Sequence, residues 1–281
     1  MEKRVITDRQ IEAFQAYLRE EERGESTIKK YLKEIGQFLL WLSGAEVTKE
    51  AVVQWKGWLL AEGRAPSTVN GKLTALDRFF GFLGWDECRV KRLKLQRRLF
   101  RDASKELSRE EYERLLLASA DSGNERLTLL METICATGIR VSEVRCISVE
   151  AAREGRAEVR LKGKIRLILI PGKLCRKLLK YARKNKIASG EIFCTRSGRG
   201  MSRKQIWAEM KALCKRAGIR PSKVFPHNLR HLFARCFYRA TKDLAKLADI
   251  LGHSSTETTR IYLVSTGAEH AEALNRLRLV L

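Results

Sequence analysis

Apolar residues recur at the three- and four-residue spacing of a helix along almost the whole of this chain, and one short stretch alone breaks into the two-residue alternation of a strand. That pattern restricts the chain to a mainly helical fold with a small sheet. Thr7 and Asp8 offer caps before Ile11, Phe14, Tyr17 and Leu18, and Gly24 stops the run. Ser26 or Thr27 opens a second helix with Ile28, Tyr31, Leu32, Ile35, Phe38, Leu39 and Leu42 facing inward. Thr48 opens a third through Val52, Trp55 and Leu59, and the turn Arg64-Ala65-Pro66-Ser67 leads to a fourth with Val69, Leu73, Leu76, Phe79 and Phe80. The Trp and Phe residues of this region fall at helical spacing and read as core.

From Leu107 the pattern begins again. Ser108 followed by Glu111 is a capping-box signature, and a second helix over about 125–136 ends in Ala136-Thr137-Gly138. Ala157, Val159 and Leu161, then Ile165, Leu167 and Leu169, alternate around Lys162-Gly163-Lys164, which predicts a hairpin with a basic tip. The remainder reads as mostly helical, broken at 197–200, 218–225 and 252–255. With 281 residues there is room for two cores, and the pattern predicts a helical domain at 1–88, a basic linker at 89–105 and a larger domain at 106–281.

Charge narrows the function. Lys and Arg total 56 against 33 Asp and Glu, a net +23, and 44% hydrophobic content argues against disorder. Residues 1–88 carry a net −1, residues 89–105 +7 and residues 106–281 +17. A metabolic enzyme for small neutral substrates needs no such field; a polyanion that touches the linker and the larger domain does. The blander reading is a solvated basic surface that only keeps the chain soluble. Nucleic acid fits better than membrane, because no basic stripe is expected opposite a clearly apolar helical face. The seven cysteines form no CxxC pair and suit a reducing compartment, and no signal-peptide pattern or long apolar run is present, so a cytoplasmic location is expected.

Three segments carry the chemistry. Arg140 follows a glycine turn in Ala136-Thr137-Gly138-Ile139-Arg140-Val141-Ser142-Glu143. Pro226 opens a helix that carries His227 and Arg230, and Leu251-Gly252-His253 is followed by Tyr262 nine residues on. A phosphodiester repels nucleophiles, so attack on it needs fixed cations where charge builds on phosphorus, and two guanidiniums with two imidazoles suit that task. A phenol needs such neighbours to ionise near neutral pH.

Arginine, HxxR, GH and a tyrosine nine residues later, in this order, resemble the tyrosine recombinase (phage integrase) family, over roughly residues 5–265 and most like its Xer-type and transposon-type members. The resemblance implies a four-helix SAM-like core-binding domain plus a mostly helical α+β catalytic domain with a small antiparallel sheet. It implies Tyr262 as nucleophile, Arg140, His227, Arg230 and His253 around the phosphate, and a lysine of the hairpin tip as general acid. Lys162 is the better match for that acid and Lys164 the alternative, because the turn is shorter than the common form. Implied too are a 3′-phosphotyrosyl link, strand exchange through a four-way junction, and a homo-tetramer on two double-stranded DNA sites, with or without a partner recombinase or accessory protein. No cofactor, metal or membrane is implied. The expected DNA contacts are Lys29, Lys30, Lys33, Thr68, Asn70, Lys72 and Arg78 in the first domain, Arg97 and Arg98 in the linker, and Lys164, Arg199, Ser202, Arg203, Lys204 and Gln205 in the second. Glu143 reads as orienting Arg140, and His231 as a packing residue pointing away from the face of His227. Residues 268–281 read as an amphipathic helix for the neighbouring protomer or for its own. The rival readings are a type IB topoisomerase and a catalytically silent DNA-binding regulator.

Overall fold

Helices in the first unit begin where a side chain, a glycine or a proline settles the free N–H groups of the first turn. Thr7 and Gln10 form a reciprocal capping box that opens α1 (Asp8–Glu20), Thr48 caps α3 (Lys49–Ala61), and Pro66 occupies the first turn of α4 (Pro66–Leu83). Helix α2 (Glu25–Leu42) starts earlier than Ser26 or Thr27 would have it. Gly24 is its cap, the Gly24 carbonyl accepts the Thr27 and Ile28 amides, and Glu25 places an acid in the positive first turn. The computed structural model describes residues 4–95, 103–161, 164–195, 197–253, 255–260, 262 and 275–277, and the chain divides into units 1–97 and 98–281. The core of the first unit is aromatic, with Phe38 edge-on to Trp55 at 5.1 Å and Phe14 against Phe79 at 5.0 Å. Trp58 departs from the expectation that these rings are core: it is 43% exposed, because it sits on the flank of α3, about a quarter turn from the line of buried Val52, Trp55 and Leu59.

In the second unit Ser108 and Glu111 make the expected capping box for α5 (Arg109–Asp121), and Asn124 caps α6 (Glu125–Thr137). A 3₁₀ stretch over Val141–Cys146 and the short α7 (Val149–Glu154) lead to strands β1 (Arg156–Leu161) and β2 (Lys164–Leu169). Then follow α8 (Gly172–Lys184), α9 (Arg203–Ala212), α10 (Cys214–Ala217), α11 (Pro226–Thr241), α12 (Leu244–Leu251) and α13 (Thr256–Arg260). Residues such as Leu115, Leu130, Ile134, Leu178, Ile206 and Leu229 form one core, and Ala234, Leu247, Leu251 and Tyr262 a smaller one.

The antiparallel pairing sets Ala157 opposite Ile168, Val159 opposite Arg166 and Leu161 opposite Lys164. Residues directly opposite share a face, so Arg166 and Ile168 turn inward with Ala157 and Val159. Ile165, Leu167 and Leu169, the apolar set that marks the second strand in the sequence, are consequently 68%, 51% and 71% exposed. Helix α8 corrects a second expectation. It buries Leu174, Leu178, Tyr181 and Ala182 and presents only Lys and Arg on its opposite face, the stripe that the sequence reading missed. Among the described residues no helix is long and apolar enough to cross a membrane. All seven cysteines are free, with only Cys236 exposed.

Candidate active site

Two glycines build the floor of the site. Gly138 ends α6 at φ +64°, and a Cβ there would lie 2.5 Å from the Phe233 ring. Gly252 ends α12 at φ +62°, where a Cβ would meet the Arg166 side chain at 2.4 Å. Both conformations suit glycine, and both freed carbonyls point at arginines. Arg230, one turn into α11, is 2% exposed and donates from Nη1 to the Gly138 carbonyl at 2.5 Å and from Nη2 to the Leu251 carbonyl at 2.7 Å. Arg140 donates to Glu143 at 2.8 Å and reaches the Gly252 carbonyl at 3.4 Å.

Glu143, 2% exposed, holds more than Arg140: it also pairs with Arg166 of β2. Arg166 donates onward to the carbonyls of Ile250, at 3.2 Å, and Leu251. Burial first, offset by Glu143, lowers the Arg166 pKa to about 10. One carboxylate thus ties the Arg140 turn, the inner face of the hairpin and the end of α12 together. Sequence reasoning passed over Arg166; the signal for it was a charge at the strand position opposite Val159.

His253 Nε2 lies 3.1 Å from Arg230 Nη2, and Nδ1 lies 2.8 Å from Thr259 Oγ1. A guanidinium can only donate, so Nε2 accepts and the proton sits on Nδ1, with fully buried Thr259 as its acceptor. Burial and the Arg230 and Arg140 charges push His253 down to about 4. The same causes lower His227. Tyr262 is buried, its ring stacked 5.9 Å from His253 at 14°, and it raises the Arg230 pKa against the lowering by burial. These groups line one cavity of about 460 Å³ together with Ser142, Arg203, His231 and Thr258. No group of three or more His, Cys, Asp or Glu among the described residues is placed to hold a metal ion.

His231 does not point away from His227. The two rings are 4.4 Å apart and His231 stands edge-on to Tyr262 at 4.6 Å, because residues four apart share a helix face. Burial and the neighbouring His227 lower its pKa to about 3. Lys162 lies outside the described residues, as do Arg97 and Arg98; Lys164 is the first residue of β2.

The expected DNA contacts divide. Lys29, Lys30, Lys33, Thr68, Arg199, Ser202, Arg203 and Lys204 are exposed, and the Ser202 hydroxyl caps α9 by accepting the Gln205 amide. Gln205 is half-buried and donates to Glu209. Lys72 is a correction: it is 8% exposed, bonded to Glu34 and Gln37, and pins α4 to α2 instead of facing outward. Asn70 is likewise committed, exchanging hydrogen bonds with both backbone groups of Leu93, and Arg78 pairs with Glu21 over the Tyr17 ring.

Comparison with known proteins gives a consistent result. The phage integrase family matches residues 105–269, and the phage integrase N-terminal SAM-like domain matches residues 11–87. The chain is 28% identical to tyrosine recombinase XerA of Pyrococcus furiosus over 288 residues, covering 100% of this chain and 98% of that one. It is 31% identical to tyrosine recombinase XerC of Roseiflexus castenholzii over 278 residues, covering 90% and 88%. In fold it resembles the XerH site-specific recombinase bound to its difH substrate, with a TM-score of 0.69 at 20% identity over 95% of this chain and 84% of that one.

Proposed function

The chain belongs to the phage integrase family of tyrosine recombinases, and from that premise we propose that it is a site-specific recombinase that cuts and rejoins duplex DNA through Tyr262. The observation that carries the reading is the convergence of Arg140, His227, Arg230, His253 and Tyr262 on one cavity. The Tyr262 oxygen attacks the phosphorus of a backbone phosphate, loses its proton, and displaces the 5′-oxygen, which leaves as a hydroxyl once it gains one. Energy of the broken ester is kept in the 3′-phosphotyrosyl bond. A 5′-hydroxyl from a partner duplex then reverses the step, and two such exchanges pass through a four-way junction held by a tetramer.

Arg230 and Arg140 are the fixed charges for the five-coordinate phosphorus, preorganised by the Gly138, Leu251 and Gly252 carbonyls and by Glu143. His253, with Nε2 accepting from Arg230, donates to a phosphate oxygen only after that nitrogen gains a proton, and the bound anion favours this change. His227, the exposed residue of an otherwise buried first turn of α11, is free to accept or pass on the phenolic proton. Lys162 is the general acid for the 5′-oxygen and Lys164 the alternative.

Trapping on a nicked suicide duplex tests the chemistry: wild type accumulates a covalent adduct and Tyr262→Phe binds without forming one, whereas an adduct in the mutant removes Tyr262 from its role. A substrate with a 5′-thiol leaving group restores cleavage to Lys162→Ala, since sulfur departs without a proton. Rescue of Lys164→Ala alone would move the acid to Lys164.

A further inference from the structure

One face of α8 is built entirely of cations. Lys173, Arg176, Lys180 and Arg183 are exposed and follow one another at steps of three, four and three residues, which lays them on a single ridge about 15 Å long. Lys177 and Lys184, beside the ridge, are tied at 2.6 Å to Glu132 and Glu125 of α6, whereas no carboxylate among the described residues pairs with the other four. Helix α8 itself contains no acidic residue. Four like charges held along one helix repel each other and add nothing to folding, so their favourable partner lies outside the chain.

The surroundings say what that partner is. The apolar side of α8 is spent in the core through Leu174, Leu178 and Tyr181, so the helix has no free face to lay into a lipid interface. The ridge offers a line of cations with no carboxylate among them, which suits the counterion-releasing phosphate contacts of duplex binding. No α8 residue lines the catalytic cavity. We propose that this ridge is a second DNA-backbone surface of the catalytic unit, which grips through phosphates a length of duplex other than the one in the cavity. The choice of duplex over other polyanions rests on the reading of the chain as a DNA recombinase.

The test compares the full chain with Lys173→Gln/Arg176→Gln/Lys180→Gln/Arg183→Gln, four exposed positions at which folding is checked by far-UV circular dichroism. Affinity for random-sequence duplexes of about 15 and about 60 base pairs is followed as salt rises from about 50 to 200 mM. On the long duplex the variant's log–log salt slope is shallower by about 3 to 4, at roughly 0.9 per lost phosphate contact, or about a hundredfold less change in affinity over that range. On the short duplex the two proteins match, and adduct formation at Tyr262 is unchanged. Equal slopes on the long duplex overturn the proposal, and so does an equal loss on both duplexes, which would put the ridge on the same DNA as the cavity. A loss confined to phosphatidylserine vesicles would assign the ridge to a membrane surface instead. Wild type that binds neither duplex would strike the recombinase reading itself.

Discussion

A guanidinium as enclosed as that of Arg230 is affordable only because backbone carbonyls, His253 and Tyr262 surround it. Burial is the main cause that keeps the neighbouring imidazoles neutral, with the Arg230 charge adding to it: His253 is held near 4 and His231 near 3, and His227 is lowered too. In the unfolded chain these rings titrate at about 6.5. Their contribution to stability is therefore complete above about pH 6.5 and is lost as pH falls toward the folded values, because the unfolded chain then binds protons that the native one excludes. Urea midpoints measured from neutral pH down to about 4 should drop accordingly, and His231→Gln should flatten part of the slope. An unaltered slope in that variant would mean His231 does not hold its low value. At this scale the sequence was informative for Arg140, His227, Arg230, His253 and Tyr262, whose order and spacing form a recognisable pattern. It was not for Arg166 and Thr259, because a lone strand arginine and a lone threonine look like surface residues until their neighbours are known.

Among the elements, the helix ends decide where the charges stand. Gly138→Ala must push a methyl into the Phe233 ring at a positive φ, and an overpacked site of this kind costs roughly 1–3 kcal/mol. Cleavage should fall further than stability, because the displaced Gly138 carbonyl is an anchor of Arg230. Chemical denaturation beside single-turnover cleavage separates the two, and a variant that loses stability but cleaves normally would refute the anchoring role. Caps made several helix starts legible, since Thr7, Thr48 and Ser108 act within three residues of sequence. The facing of β2 was not legible. A strand with apolar residues at 165, 167, 168, 169 and 170 fits either register locally, and the pairing with β1 selects the one that buries Arg166 beside Glu143.

For the whole molecule, the two units carry separate sets of buried residues. Trp55→Ala removes a fully buried ring from the first and Leu178→Ala a fully buried side chain from the second, at costs of roughly 3–5 and 2–5 kcal/mol. Calorimetry of the full chain should show each substitution lowering a different transition; one transition moved by both would mean the units unfold together. Local periodicity and capping, which act over a few residues, let the sequence alone determine the helices and the hairpin, and its motifs single out five of the residues that line the cavity. Tertiary structure decided the rest. Arg230 meets Gly138 across 92 positions and Arg140 meets Gly252 across 112, and Lys72 was withdrawn from the surface by a partner 38 residues away. Such meetings depend on how the faces of distant elements pack, a property that no short window of sequence contains.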